Sequence, residues 1–199
     1  MRSKYHCRKK YGLNGDYMLM RNKVIAAVRT REELISAASS DVKIIFDLSP
    51  NILTIEENVN IAHKANKKFF IHIDLAEGIG KDKSGIEYVK KLGVDGVIST
   101  RTGIIKLARE LGIFTVQRFF IVDSHSIETT IESIKTSKPQ MIEVMPGSVL
   151  KVISRLKEVL EIPIIAGGLI ESENEAVNII KSGASAVSTG KTHLWNNEK

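Results

Sequence analysis

The sequence contains very little cysteine and no long apolar run. Of its 199 residues only one, Cys7, is a cysteine, so an internal disulfide is excluded and the composition suits a reducing compartment. No apolar stretch approaches the roughly 20 residues that cross a bilayer. Near the N-terminus the only apolar cluster runs from Tyr17 to Met20, which is too short for the core of a secretory signal peptide. These absences predict a cytoplasmic protein that has no membrane partner.

Positive charge is concentrated at the start of the chain. The net charge is +6, and residues 1–23 hold seven of the 29 basic residues beside one acid, Asp16. From Val24 onward the chain has 22 basic and 22 acidic residues. A short basic segment can attract RNA or DNA, but it is more often an unstructured, solvated tail. We therefore predict that residues 1–20 are a disordered leader, or are absent from a native product that begins at Met18 or Met20, and that residues 21–199 form the folded domain.

Apolar runs and amphipathic stretches alternate along the rest of the chain. Helical periodicity appears in segments such as "GIEYVKKLG" and "IIKLAREL", and several of these end at a glycine (Gly93, Gly112 and Gly183), the residue that commonly closes a helix in the left-handed conformation. Between them lie eight short, β-branched runs, each typical of a buried strand. These runs begin near Val24, Val42, Phe69, Gly96, Phe114, Met141, Pro163 and Ala186.

Eight buried strands that are each followed by a helix indicate a parallel sheet covered on both faces. Eight such units closing on themselves make a single TIM-like (β/α)8 barrel of the α/β class. The chain is short for that fold, so the helices and loops must be short and one helix is expected to be missing or irregular. An open, doubly wound sheet is the alternative. It fits less well, because no GxGxxG motif follows the first strand.

Two glycine-containing loops follow the predicted strands seven and eight, with the sequences "AGGLIES" (166–172) and "STGKTH" (188–193). In a barrel of this kind a phosphate is often held by these two loops. Gly167 and Gly168 let the backbone approach a ligand, while helix N-termini offer unpaired N–H groups to an anion. Ser188 and Thr189 add hydroxyl donors, and Lys191 adds a charge. The glycines could instead serve only a tight turn, but two such loops at these two strands favour a phosphate site.

Polar residues interrupt the apolar runs at other strand ends. His72 and Asp74 are two apart, so alternation places both on the side of Phe70, which we expect to be the upper interior of the barrel. Gln117 and Arg118 are neighbours, and periodicity does not decide which of them faces inward. If Arg118 does, it can pair with Glu143 on the next strand. A structural ion pair that fills the barrel and a contact to a ligand then remain equally open.

The motifs "HIDLAEG", "DGVISTR", "VQRFFIVDS", "IEVMPG", "IPIIAGGLI" and "STGKTHLW" together resemble the glycerol uptake operon antiterminator regulatory proteins of bacteria. The resemblance extends over residues 22–196 in unbroken order, and residues 1–20 lie outside it. It implies a TIM-like barrel, glycerol 3-phosphate as effector, and action on leader messenger RNA that lets transcription pass a terminator.

The same resemblance implies the residues that line the effector site, although it supplies no RNA contacts. Those residues are His72, Asp74, Arg101, Arg118, Glu143, Gly167, Gly168, Ser188 and Thr189. Gly190 completes the candidate ligand-binding set, but here the sequence departs from the family, which commonly has a hydroxyl residue at this position. No catalytic residue, metal or cofactor is expected, and the sequence leaves homo-oligomer formation open.

Two classes of function remain, a ligand-gated RNA-binding regulator and an enzyme that acts on a phosphorylated triose or sugar. Schiff-base chemistry needs a lysine inside the barrel, whereas Lys67 and Lys68 precede strand three and Lys191 follows strand eight. Acid and base chemistry remains open to His72, Asp74 and Glu143. A metal site that includes Asp47 is weakly supported, since no HxH or HxxxH spacing occurs.

The regulator has to bind RNA although its folded part is neutral and carries no aromatic-rich RNA motif. Local clusters or the basic leader would have to supply the contacts, and the candidate residues are Lys90, Lys91, Lys151, Arg155 and Lys157. On the residues alone the enzyme is favoured. The family resemblance reverses that order, so the sequence predicts a regulator without enzymatic activity.

Overall fold

Eight parallel strands close into a barrel in the order in which they occur along the chain. The computed structural model of the protein describes residues 22–196, so the predicted leader, residues 1–20, lies outside the described residues. The strands are β1 (Val24–Val28), β2 (Ile44–Asp47), β3 (Lys68–His72), β4 (Gly96–Ser99), β5 (Phe114–Phe120), β6 (Met141–Met145), β7 (Ile164–Gly167) and β8 (Ala186–Thr189). Pairing of β1 with β8 completes the closure. The predicted TIM-like (β/α)8 barrel is therefore confirmed, and each strand begins at or near the predicted residue.

Seven short helices connect the strands within the described range. They are α1 (Arg31–Ser39), α2 (Ile55–Lys64), α3 (Lys83–Lys91), α4 (Thr102–Glu110), α5 (Ser124–Ser137), α6 (Leu150–Val159) and α7 (Glu173–Lys181). After β8 the described chain has only a 3-10 turn, Thr192–Leu194, followed by the buried Trp195, whose indole N–H donates to the Thr189 carbonyl oxygen at 2.9 Å. The expected irregular helix is thus the eighth. None of the helices between residues 22 and 196 combines the length and the apolar character that a membrane span requires.

Local signals in the sequence set the short length of the helices. Thr30 and Ser172 each form a capping box, in which the hydroxyl accepts from the backbone N–H three residues on and a glutamate side chain accepts in return. At the opposite ends, Gly93, Gly112 and Gly183 have φ values of +87°, +70° and +114°, which confirms the predicted helix-closing glycines. These stops return the chain to the next strand after two or three turns.

Successive side chains along each strand alternate between two apolar layers. Their outward residues pack under the helices, and their inward residues fill the lower part of the barrel with a cluster that includes Ile25, Phe46, Phe70, Val116 and Ile165. Two residues farther along several strands the inward position becomes polar. The fold thus places an apolar floor beneath a layer of buried polar side chains at the carboxyl ends of the strands, which we call the chamber.

Three aromatic rings form part of this floor, and a glycine makes room for them. The Phe70 ring lies with its centroid 5.5 Å from that of Phe46 and 5.6 Å from that of Phe114. Gly96 is paired with Phe70 across β3 and β4. A Cβ at Gly96 would overlap the Phe70 ring and lie 3.0 Å from the Phe114 carbonyl oxygen, so this position requires glycine for close packing.

We expect Gly96→Ala to destabilise the protein by about 1–3 kcal/mol, because the added methyl group must displace a ring held between two others. Gly103→Ala is the matched control. Gly103 lies in α4 with no atom within 4 Å of an added Cβ, so alanine there should stabilise by roughly 0.5–1 kcal/mol. Urea denaturation of both variants measures the difference. Equal stability of the two variants would contradict the packing account.

Candidate functional site

A buried ion pair lies in the chamber above the apolar floor. Arg118 and Glu143 are in register on β5 and β6, and the Arg118 Nε donates to the Glu143 Oε2 at 2.6 Å. Both side chains are almost completely buried. Ser188 on β8 donates from its Oγ to the Glu143 Oε1 at 2.5 Å, so each carboxylate oxygen of Glu143 has a partner. Arg118 therefore faces inward, and the pair that the sequence left open is formed.

The free donors of this cluster belong to Arg118. Within the described part of the chain, no residue accepts a hydrogen bond from its two terminal guanidinium nitrogens. Gln117 points the other way, because its amide bonds Ser133 and Ser137 of α5 at 3.1 and 2.5 Å. The inner chamber is thus lined by a neutral ion pair that keeps donors available for a ligand.

His72 is a neutral, unsatisfied group in the same chamber. It ends β3, is 3% exposed, and its Nδ1 has no hydrogen-bond partner among the described residues. Burial, and next the positive charge of Arg118, lower the pKa of His72 to about 4. A buried polar atom without a partner is rare in folded proteins, and it indicates a place where a ligand or water binds.

Asp74 does not lie on β3, so the expectation that it shares the side of His72 by strand alternation is wrong. The strand stops at His72, and Ile73–Leu75 form a 3-10 turn that redirects the chain. The Asp74 carboxylate accepts from the Thr100 N–H at 2.7 Å and from the Ser99 hydroxyl at 2.8 Å. Arg101 lies 3.7 Å from it through Nε and is largely exposed. Asp74 and Arg101 thus belong to the rim of the barrel after β4.

The loops after β7 and β8 combine close packing with free backbone donors. A Cβ at Gly167 would lie 2.5 Å from the Glu143 Oε1, so this glycine makes room for the buried carboxylate. Gly168 has a φ of +76° and the following Leu169 a φ of 56°, which turns the chain sharply at the end of β7. The backbone N–H groups of Leu169 and Gly190 form no hydrogen bond to any other described residue. An anion site in these two loops would use such free N–H groups, and the site that the glycines predict stays a prediction.

Thr189 takes a structural position. It lies between Ser188, which faces the chamber, and Gly190, and its Oγ1 donates to the Ile170 carbonyl oxygen at 3.0 Å. The Thr189 Oγ1 in turn accepts from the Lys191 N–H at 3.1 Å. Thr189 therefore holds the two loops together, and its hydroxyl is already engaged.

Arg29 is a site residue that the sequence analysis missed. It follows β1, where alternation places it on the inward side with Ile25 and Ala27. A Cβ built on Gly190 would lie 3.8 Å from the Arg29 Nη1, so the guanidinium lies beside the loop after β8. No described residue accepts a hydrogen bond from the Arg29 side chain. The alternation of "VIAAVR" was the signal that could have identified it.

Asp47 faces away from the chamber, so it cannot join His72 and Glu143 around one ion. Its Oδ1 accepts from the Ser49 N–H at 3.0 Å, and it lines a cavity of about 180 Å³ that Arg29 and Asn58 also line. Arg29 thus borders both this cavity and the loop after β8. Burial raises the pKa of the Asp47 carboxyl. Across residues 22–196 no three His, Cys, Asp or Glu side chains converge as metal ligands would.

Comparison with known proteins gives the family. Residues 24–195 match the family described as glycerol-3-phosphate responsive antiterminator. The Escherichia coli K12 protein named "Uncharacterized protein YgcP" is 39% identical over 180 residues, which cover 90% of this chain and 94% of that protein.

Two solved structures are also similar. The glycerol uptake operon antiterminator regulatory protein from Listeria monocytogenes superimposes with a TM-score of 0.82 and 30% identity, over 87% of this chain and 94% of that one. A glycerol uptake operon antiterminator-related protein from Thermotoga maritima gives a TM-score of 0.79 and 34% identity, over 88% of this chain and 99% of that one. The sequence match and these two folds agree over the same barrel, and the chain belongs to the glycerol-3-phosphate responsive antiterminator family.

Proposed function

We propose that the protein senses glycerol 3-phosphate and, when occupied, binds a leader messenger RNA so that transcription passes a terminator. The observation that carries this proposal is the two-part character of the site. A neutral chamber with unsatisfied hydrogen-bonding atoms lies beside a rim with free N–H groups and an unpaired arginine. Glycerol 3-phosphate has the same two parts, hydroxyl groups at one end and a dianionic phosphate at the other.

The chamber suits the glycerol end. Each glycerol hydroxyl both donates and accepts, so it can satisfy the Nδ1 of His72 and the terminal nitrogens of Arg118 together. Glu143 neutralises Arg118 at 2.6 Å, so the chamber offers little net attraction to a second anion. This favours an alcohol over a phosphate in the chamber.

The rim suits the phosphate end. Among the described residues, the N–H groups of Leu169 and Gly190 and the guanidinium of Arg29 are donors without a partner at this rim, so they are available to an anion there. Backbone N–H groups and an arginine are the usual ligands of a bound phosphate. The Arg29 Nη1 lies 3.8 Å from where a Cβ at Gly190 would be, so the Arg29 guanidinium is next to this position. This supplies a charged donor where the family commonly has a hydroxyl.

Chemistry is the poorer use of this site. The only lysine in the described strands is Lys68, the first residue of β3, at the end opposite to the chamber. Glu143 already accepts hydrogen bonds from Arg118 and Ser188, so its carboxylate is poorly available as a general base. The residues therefore support binding more than catalysis.

The pKa of His72 predicts how the stability of the protein depends on pH. With a pKa of about 4 in the folded state against 6.5 in the unfolded state, the unfolded chain binds more protons between these values. Stability therefore falls as the pH decreases from 6.5 to 4, by up to about 3 kcal/mol from this group. We expect His72→Gln to lose that part of the pH dependence and to match the wild-type slope above pH 6.5. Urea denaturation at several pH values measures it, and identical slopes for both proteins would contradict a neutral, buried His72.

We expect Arg29→Gln to weaken glycerol 3-phosphate binding by about 10- to 100-fold, since a charge-assisted hydrogen bond contributes about 1.5–3 kcal/mol. Lys191→Gln is the matched control, because Lys191 is also next to Gly190 but its Nζ is paired with Glu171 at 2.9 Å. That variant should change the affinity by less than about threefold. Isothermal titration calorimetry compares the two. A larger loss of affinity for Lys191→Gln than for Arg29→Gln would show that the phosphate binds next to Lys191 and not next to Arg29, which contradicts the prediction.

The function itself is tested by titrating leader RNA of the host's glycerol uptake genes with and without glycerol 3-phosphate, beside a turnover assay on triose and pentose phosphates. We expect the effector to strengthen RNA binding, with no turnover. Glu143→Gln keeps size and hydrogen bonding, so it should shift the effector response to higher concentration while the same plateau is reached.

Two controls accompany that experiment, since a lost ion-pair partner can destabilise the barrel. They are a melting curve for Glu143→Gln and the double variant Arg118→Met with Glu143→Gln. If the wild type turns over a phosphosugar and a folded Glu143→Gln variant does not, the proposal of a sensor is refuted and a phosphosugar enzyme is favoured.

A further inference from the structure

The two ends of the barrel differ in charge. Because the strands are parallel, the first residue of every strand and the last turn of every helix lie at one end, which we call the amino-terminal face. From the last four residues of each helix to the first residue of the next strand, together with residues 22–24, this face has twelve basic and five acidic residues. The described chain as a whole has 22 basic and 21 acidic residues. A neutral barrel thus has a basic end, opposite to the candidate ligand site.

Half of the basic residues of this face lie in one sector, around the starts of β2 and β3 and the end of α3. They are Lys43, Lys64, Lys67, Lys68, Lys90 and Lys91. The acids of the sector are Asp41 and Asp95. Asp95 is already compensated, since its carboxylate accepts from the Lys68 Nζ at 2.7 Å and bonds the His63 Nε2 at 2.8 Å. The sector is left with an excess of positive charge.

The lysines are not explained by helix ends alone. Lys64, Lys90 and Lys91 lie in last turns, where a positive charge stabilises the helix dipole. Lys43 and Lys67 lie in loops before strands, and they repel one another: burial, and next the charge of Lys43, lower the pKa of Lys67. The Lys67 Nζ is held in place by the Ser40 carbonyl oxygen at 2.6 Å. The fold therefore keeps like charges close together, an arrangement that a polyanion would stabilise.

An aromatic ring is exposed at the same face. Phe114 is the first residue of β5 and is 37% exposed, although its ring also packs edge-on against Phe70 at 5.6 Å. Gly96, paired with Phe114 across β4 and β5, follows directly after Asp95. A phenylalanine ring that packs on the barrel interior on one side and is open to solvent on the other is a platform on which an unpaired base can stack.

We infer that single-stranded RNA binds the amino-terminal face, with its phosphates on the lysines of this sector and a base stacked on Phe114. The inference rests on the proposed function, which requires an RNA surface, and it assigns that surface to the end of the barrel away from the effector. Of the basic residues considered from the sequence, Lys90 and Lys91 belong to its lysine sector, and Lys157 lies on the same face in the last turn of α6, outside the sector. Lys151 and Arg155 lie in the first turn and the middle of α6, outside this face.

The charge contribution is tested with the triple variant Lys43→Glu, Lys64→Glu and Lys91→Glu, three exposed lysines without an ion-pair partner among the described residues. The matched control makes the same charge change elsewhere: Lys106→Glu, Lys151→Glu and Arg155→Glu. Fluorescence anisotropy with labelled leader RNA and with labelled oligouridine gives the affinities. We expect the first variant to bind RNA at least about tenfold more weakly than the wild type. The slope of its log binding constant against log salt concentration should become shallower by about 2, roughly 0.7 for each lost phosphate contact. The control should remain within about threefold of the wild type.

The stacking contribution is tested with Phe114→Leu, which keeps the apolar contact to Phe70 and removes the ring. Loss of one stacked base should lower the affinity for oligouridine by about 5- to 100-fold. Binding of a double-stranded RNA of equal charge should change little, because its bases are not free to stack. Calorimetric titration with glycerol 3-phosphate shows for each variant that the barrel is folded and the opposite end intact.

The outcomes separate this inference from the proposed function. Suppose that the wild type binds leader RNA in response to glycerol 3-phosphate, but the control triple variant loses more RNA affinity than the triple variant of Lys43, Lys64 and Lys91. The RNA then binds elsewhere on the protein, so this inference is wrong while the proposed sensor function stands. Undiminished oligouridine binding by Phe114→Leu overturns the stacking. If the wild type binds neither RNA at low salt, the proposed function fails and this inference fails with it.

Discussion

The ion pair between Arg118 and Glu143 determines how the upper barrel is built. Removing one partner of a buried pair leaves an uncompensated charge and commonly costs about 3–5 kcal/mol. The neighbouring residues are arranged accordingly. Ser188 engages the second carboxylate oxygen, Gly167 leaves space for it, and the charge of Arg118 contributes to keeping His72 neutral. The upper barrel thus has a charge-compensated interior with free donors, which is the reason for assigning the glycerol end to it in the proposed function.

The same strands connect this chamber to the opposite end. Along β5 the inward side chains are Phe114, Val116 and Arg118, so one strand carries an exposed ring at the amino-terminal face and the buried guanidinium at the candidate ligand site. Phe70, which contacts Phe114, precedes His72 by two residues on β3. The two proposed binding surfaces are therefore joined by packed side chains of two strands, as a sensor requires of its input and output sites.

Periodicity predicted the fold because most strands are apolar on both faces and several helices carry end signals, such as the capping boxes at Thr30 and Ser172 and the closing glycine Gly93. It predicted less of the site, where contacts between different strands decide orientation. Asp74 was misplaced because alternation does not show where a strand ends, and Ile73 begins a 3-10 turn. The sequence did not show whether Gln117 or Arg118 faces inward, because their orientation depends on contacts with other elements. The Gln117 amide bonds to α5, and Arg118 pairs with Glu143 on β6. Arg29 was within reach of the sequence, since it continues the inward alternation of β1.

A crystal structure of the protein with glycerol 3-phosphate tests the account most directly. The account predicts phosphate oxygens within hydrogen-bond distance of the Leu169 and Gly190 N–H groups and of the Arg29 guanidinium, with the glycerol hydroxyls on Arg118 and the Nδ1 of His72. A ligand bound in the reverse orientation, with its phosphate against Arg118 and Glu143, would contradict it, as would a ligand bound outside the chamber.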